Sequence, residues 1–291
     1  MRIQQLTGAQ VRNKGLNPIL MASVLGMLLC LSCSARAEHL SGNLATWAVF
    51  YGKQASREIL QQPDVLVLEA DHGWSPATLK RPGQIILAYL SLGEVHETRP
   101  YFKTLQATQG VFLGRNPQWQ GAWRVDPAHP MWKQLVCERL GAALLERGYD
   151  GLFLDTIDVA EDLERTGRRP GAKQAMVDLI KALHAQNPSL KLIANGGLAI
   201  LPGIAETVSA VAIESVFTNY DFEKKQYRNR SEADAIALSN RLLALKKMYQ
   251  LPVLVLEYVA PQDSSTRQQV TQRLRQLGLV PFVSGIELGS L

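Results

Sequence analysis

Eight short apolar runs, most of them separated by helix-like stretches, constrain the fold of this chain more than any other feature. Strands are expected at Thr46–Tyr51, Val65–Glu69, Ile85–Leu90, Gly151–Asp155, Leu190–Ala194, Ala210–Glu214, Val253–Tyr258 and Val280–Ser284. Runs such as Leu152-Phe153-Leu154 show no polar alternation, the mark of a strand buried on both faces. The clearest helices span Pro130–Arg147, Gly171–Gln186, Ser231–Tyr249 and Ser264–Leu277. In the first, Leu135, Val136, Leu140, Ala143 and Leu144 share one face; Met176, Leu179, Ile180 and Leu183 do so in the second. Strand and helix alternating through about 250 residues give the count and length of an α/β (β/α)8 TIM barrel. A doubly wound sheet would announce a glycine-rich phosphate loop after its first strand. Here Tyr51-Gly52-Lys53 follows, and neither GxGxxG nor a P-loop occurs.

The first 37 residues read as a signal peptide. Arg2, Arg12 and Lys14 precede the apolar run Ile19 to Leu29, and Ala35-Arg36-Ala37 offers a cleavage site before Glu38. The run is short for a membrane span. Cys33 fits a lipid-anchor signal only loosely, because Cys30 stands where an aliphatic residue is usual. A periplasmic or secreted protein is expected, with no stable membrane insertion after cleavage and one domain over 38–291.

Removing the leader changes the charge argument. The whole chain holds 31 Lys and Arg against 26 Asp and Glu, a net +5, but four of the basic residues leave with the leader and the net falls to +1. Nucleic-acid binding, which needs a clustered basic face, is therefore not expected. Cys137 alone remains, so no intramolecular disulfide is available and a core must carry the stability. A mature chain of about 254 residues can bury one.

Carboxylates gather where the runs stop. Glu69 and Asp71 follow the second, Glu94 and Glu97 the third, and Asp155 and Asp158 the fourth; Glu214 ends the sixth and Glu257 the seventh. In a barrel these ends converge on the face where active sites lie. Asp155 taken alone reads equally well as a helix N-cap, helped by Thr156, and some of the acids are expected to pair with Arg99 and Arg124. Close carboxylates raise one another's pKa, which lets one stay protonated as a general acid. Together they favour a cationic ligand. Two carboxyl groups across a sugar are the minimum equipment for glycoside hydrolysis, and Asp155 with Glu214 is the pair that buried strands would hold most rigidly.

Other chemistries lack their signatures. The five histidines form neither HxH nor HExxH, which speaks against zinc, while a carboxylate-bound Mg²⁺ or Ca²⁺ stays open. No cofactor is expected. A GxSxG elbow is absent, and Cys137 lies in a predicted helix as a core residue. The long stretch from Ser91 to His129 shows little periodicity and carries Tyr101, Phe102, Trp119 and Trp123. Such a loop is usually functional or mobile; its aromatics either stack on sugar rings or pack the loop onto the barrel.

At these residues the chain resembles glycoside hydrolase family 114, the endo-α-1,4-polygalactosaminidases, and the related hydrolase domain of a Pel exopolysaccharide protein. The matching pieces are Ala88-Tyr89-Leu90-Ser91-Leu92-Gly93-Glu94, Gly148-Tyr149-Asp150-Gly151-Leu152-Phe153-Leu154-Asp155-Thr156-Ile157-Asp158, Asn195-Gly196-Gly197, Ala212-Ile213-Glu214-Ser215 and Leu256-Glu257-Tyr258. The resemblance implies a (β/α)8 barrel that cleaves α-1,4-linked galactosamine polymers with Asp155 and Glu214 as its paired acids. Beside it, the strand ends offer Glu69, Asp71, Glu94, Asp158, Asn195 and Glu257 as substrate contacts, and Tyr51, Tyr89 and Tyr258 either as the floor of the sugar site or as core packing. No deacetylase domain is expected over 38–291, and modification of the polymer is expected to need a separate partner in an exopolysaccharide machinery. A polysaccharide-binding barrel without activity and a hydrolase of a neutral glycan are the rival readings.

Overall fold

In the computed structural model, which describes residues 37–40 and 44–291, all eight runs are strands. They are β1 (Trp47–Phe50), β2 (Val65–Leu68), β3 (Ile85–Ser91), β4 (Gly151–Asp155), β5 (Lys191–Asn195), β6 (Ala210–Glu214), β7 (Val253–Tyr258) and β8 (Val280–Ser284). They pair in parallel and in sequence order to make a nearly closed barrel. Between β1 and β8 a side chain makes the link: Trp47 Nε1 donates to Val280 O at 2.9 Å. The same ring packs on Phe282 and Phe153, with centroids 5.9 and 6.3 Å away. The leader expected over 1–37 lies outside the described residues, apart from Ala37.

Successive side chains of a strand point to opposite faces. One set, including Val49, Val67, Leu87, Phe153, Ile193 and Leu254, packs into a cluster without any helix residue, the barrel interior. The other, including Phe50, Leu66, Ile86, Leu152, Leu192 and Val255, packs against the helices. Neither face is left to water, so the runs carry no alternation.

Helices Ala172–Gln186, Glu232–Tyr249 and Ser264–Gln276 lie where the apolar spacing predicts them. The expected helix from Pro130 is built differently. It opens as an α-helix (Pro130–Gln134), widens to a π-helix (Leu135–Leu140) and returns to α (Gly141–Glu146). The wider turn adds a residue and re-phases the buried face. Trp132, Val136, Cys137, Gly141 and Leu144 are buried, whereas Leu135 and Leu140 are half-buried and Ala143 is exposed.

The stretch Ser91 to His129 is also more regular than its composition predicts. It holds an antiparallel sheet of three short strands, Glu94–His96, Phe112–Arg115 and Ala122–Val125, with the last in the middle. Phe102, Phe112 and Trp123 pack together beneath it. Strands of three or four residues with a register shift at Phe112/Gly114 leave no period to read. A second insertion, the hairpin Thr218–Asp221 with Gln226–Asn229, follows β6 and is mostly polar.

Gly151 brings the backbones of β4 and β5 together, since a Cβ at this position would collide with the carbonyl of Lys191. Gly151→Ala is expected to destabilise the fold by about 1–3 kcal/mol. Urea denaturation should show a lower midpoint; an unchanged midpoint would mean that the two strands do not need this approach.

Candidate active site

Because β4, β5 and β6 run parallel, their last residues face the same end of the barrel, and these are Asp155, Asn195 and Glu214. One side-chain amide joins the two acids. Asn195 Nδ2 donates to Asp155 Oδ1 at 2.9 Å and to Glu214 Oε1 at 2.7 Å. Two bonds from one nitrogen hold those oxygens within about 6 Å of each other, below the ~6.5–9.5 Å spacing of inverting glycosidases. Asn195 Oδ1 is buried and has no partner among the described residues. Turning the amide over would set a carbonyl oxygen against two carboxylates, so the charges demand this orientation.

The outer oxygen of each acid takes a phenol. Tyr89 OH donates to Asp155 Oδ2 at 2.8 Å and Tyr258 OH to Glu214 Oε2 at 2.6 Å. Burial and the neighbouring carboxylates push the pKa of both tyrosines up, so they remain donors. Tyr51 completes the floor, its ring 5.2 Å from that of Tyr89. Burial, then Tyr89 and the two acids, push its pKa up as well.

Glu214 is the strongly perturbed acid. Burial raises its pKa, Asp155 raises it further, and the bonds from Tyr258 and Asn195 offset this only in part, leaving it at about 7. The residue nonetheless shows surface to solvent. It stands on a cleft floor, wet along one edge and enclosed by protein on the others. Water that reaches the side chain weakens both causes, and they act in the same upward direction. Asp158 stands close by, facing Gly196, and its pKa is also raised, first by burial and then by Asp155.

The remaining expected residues divide by partner. Glu94 is nearly buried, and Asn116 Nδ2 donates to both its oxygens at 2.8 and 3.1 Å. Burial pushes its pKa up; Asn116 and Arg124 pull it back, while Asp155 and Asp158 add to the rise. Glu69 and Asp71 are held by an arginine. Arg99 forks onto Glu69 with two bonds of 2.8 Å and reaches Asp71 Oδ2 at 2.6 Å. Burial opposes the guanidinium charge, but these carboxylates outweigh it and raise the Arg99 pKa. Its cation lies 5.7 Å from the centre of the Tyr89 ring, whose hydroxyl donates to Asp155.

Glu257 is not available to a substrate either, being 0% exposed. It accepts from the backbone N–H groups of Val216, Phe217 and Thr218 at 2.9, 2.9 and 2.8 Å and from Thr218 Oγ1 at 2.5 Å. Burial pushes its pKa up and the four donors counter it. Glu257 thus pins the loop that leaves β6 directly after Glu214.

The supporting roles of two residues escaped the sequence reading. Asn116 gave no signal among the polar residues of its loop. Thr156 adopts φ 58°, a costly left-handed conformation for a β-branched residue. Its Oγ1 donates to Asp155 O at 2.7 Å, accepts from Gly93 N at 2.9 Å and lies 2.7 Å from Ser91 Oγ. This knot turns the chain sharply beyond Asp155. Gly196 and Gly197, with φ 72° and 63°, do the same beyond Asn195. The capping alternative for Asp155 falls away: the next helix starts at Val159, and its cap position is Asp158.

Among the described residues no group of three or more His, Cys, Asp or Glu is arranged to hold a metal ion. A hollow of about 880 Å³ lies elsewhere, on the outer seam between β1, β8 and helix Ser264–Gln276. Its charged lining is Arg267 and Arg275 without a carboxylate, so chemistry rather than volume locates the site.

The chain is 33% identical to the glycoside hydrolase domain of PelA from Pseudomonas aeruginosa, with a TM-score of 0.74 over 84% of this chain and 96% of that domain. Aspergillus fumigatus Ega3, solved in complex with galactosamine, shares the fold at 13% identity, with a TM-score of 0.59 over 87% of this chain and 96% of that one. An uncharacterized protein of Methanocaldococcus jannaschii is 27% identical over 227 residues, which cover 71% of this chain and 62% of the relative, under two thirds of its length. The model of glycoside hydrolase family GH114 matches residues 32–291, and the chain belongs to that family.

Proposed function

We propose that the chain hydrolyses an α-1,4-linked, galactosamine-containing polysaccharide that is partly de-N-acetylated and therefore cationic. The observation that carries this reading is the pair Asp155 and Glu214, joined by one amide at the ends of two buried strands. Glu214, with a pKa of about 7, keeps its proton near neutrality and serves as the acid. Asp155 serves as the nucleophile. Glu214 protonates the glycosidic oxygen while Asp155 attacks the anomeric carbon, and a water deprotonated by Glu214 then releases the sugar from Asp155. The close approach of the bridged oxygens supports this retaining course.

The substrate follows from charge and from the relatives. Asp155, Asp158 and Glu214 make an acidic floor that draws ammonium groups. Ega3, solved with galactosamine, supports the same choice, and the PelA domain supports glycoside hydrolysis. Asp158 and Glu94 would meet amines or hydroxyls, above a floor of Tyr51, Tyr89 and Tyr258. The signal-peptide pattern supports a periplasmic or secreted enzyme beginning at Glu38, working alongside an exopolysaccharide machinery. Among the described residues no helix is long and apolar enough to cross a membrane.

Reducing-end release from a partly de-N-acetylated galactosamine polymer checks the reading. Asp155→Asn and Glu214→Gln should each lower kcat by about a hundredfold to ten-thousandfold. Binding by all three proteins with no release by the wild type would leave a polysaccharide-binding barrel instead.

Proton NMR of the first product should show the α-anomer, and a β-anomer would replace retention with inversion. Activity should fall on the alkaline side as Glu214 loses its proton near about 7. Tyr258→Phe removes a bond that favours the charged form, so this limb should move to higher pH. A shift to lower pH would remove Glu214 from the acid role.

A further inference from the structure

The two insertions meet. In the order of the barrel, β3 and β6 are separated by β4 and β5. The three-stranded sheet rises beyond β3 and the hairpin beyond β6. Trp119, in the turn before strand Ala122–Val125, and Phe222, at the hairpin tip, touch edge to face with ring centroids 5.6 Å apart. Their contact therefore spans the rim above β4, which ends at Asp155 with Asp158 three residues beyond, and β5, which ends at Asn195, with Glu214 at the foot of the hairpin.

Most aromatics of the first insertion are packed away, as Phe102 and Trp123 show. Trp119 and Phe222 remain 53% and 51% exposed. Two large rings left half in water add little to the core and mark a binding surface. A row of rings continues from them toward the site: Phe222 to Tyr220 at 5.1 Å and Tyr220 to Tyr227 at 5.0 Å. Tyr227 shares a polar hollow of about 170 Å³ with Tyr258, the phenol that donates to Glu214. Flat rings accept the apolar C–H faces of pyranose units, and their negative faces attract ammonium groups.

We propose that Trp119 and Phe222 form an aromatic arch that grips the polysaccharide at sugar units away from the scissile bond, so that the enzyme favours long chains over short ones. This rests on the reading of the chain as a hydrolase of galactosamine polysaccharide. The contacts are made equally before and at the transition state, so they act on KM rather than on kcat.

The test compares partly de-N-acetylated galactosamine polymer with its short oligosaccharides. For Trp119→Ala and Phe222→Ala, KM on the polymer should rise about threefold to tenfold while kcat changes less than about twofold. KM on the short substrates should scarcely move. Trp119→Phe should restore polymer KM, and Phe222→Leu, which keeps apolar bulk without a ring, should not. Equal KM changes on long and short substrates, or full binding by Phe222→Leu, would overturn the arch. Affinity electrophoresis in polymer gels, with Asp155→Asn as background, reads binding without turnover. A wild type that binds polymer but cuts none sinks the hydrolase reading. Loss of retardation with Phe222→Ala would still uphold the arch, and unchanged retardation would end it.

Discussion

Two acids stay side by side in a half-dry cleft only if something bridges them. At about 5 Å two carboxylates repel by about 3 kcal/mol at an effective dielectric of roughly 20, and by less where water enters. Asn195 answers this with both hydrogens of one amide, while Tyr89 and Tyr258 satisfy the outer oxygens. The three donors stand on β3, β5 and β7 and the two acids on β4 and β6. The cluster therefore assembles only when five neighbouring strands are in register, and barrel packing and active-site geometry become one property.

The donors are also chemically suitable because they are neutral. An arginine against Glu214 would hold its pKa low and deny it a proton at neutrality. Arginine is used instead on the acids that do no chemistry in this reading: Arg99 binds Glu69 and Asp71, and Arg124 pairs with Asp162. Glu257 receives a third treatment, with backbone N–H groups and one hydroxyl. Acids of the same kind at neighbouring strand ends thus become an acid pair, a brace and a loop anchor, according to the donors that reach them.

Much of the barrel was legible in the sequence because its strands are buried on both faces, and burial writes an uninterrupted apolar run. Where regularity breaks, legibility is lost. The π-helical turn after Gln134 shifts the buried face of its helix, so a strict helical period puts Ala143 inside when it is exposed. The insertions were hidden because strands of three or four residues carry no period. Glu257 and Tyr258 show the same limit within the site. Both end an apolar run, but neighbours on a strand face opposite ways. Tyr258 takes the cleft and Glu257 is driven under the loop.

By itself the sequence determined the architecture, the family pattern and the strand ends at which acids would be found. These depend on residues close together in the chain, where burial and backbone geometry act locally. Only the tertiary structure decided which acids meet, which are neutralised and which aromatics stay in water. Asn195 joins residues 40 and 19 positions away, and Tyr258 reaches 44 positions back to Glu214. Such pairings are set by parallel register and by insertions that cross the barrel mouth. Electrostatics between groups far apart in sequence has no meaning until the fold sets their distance.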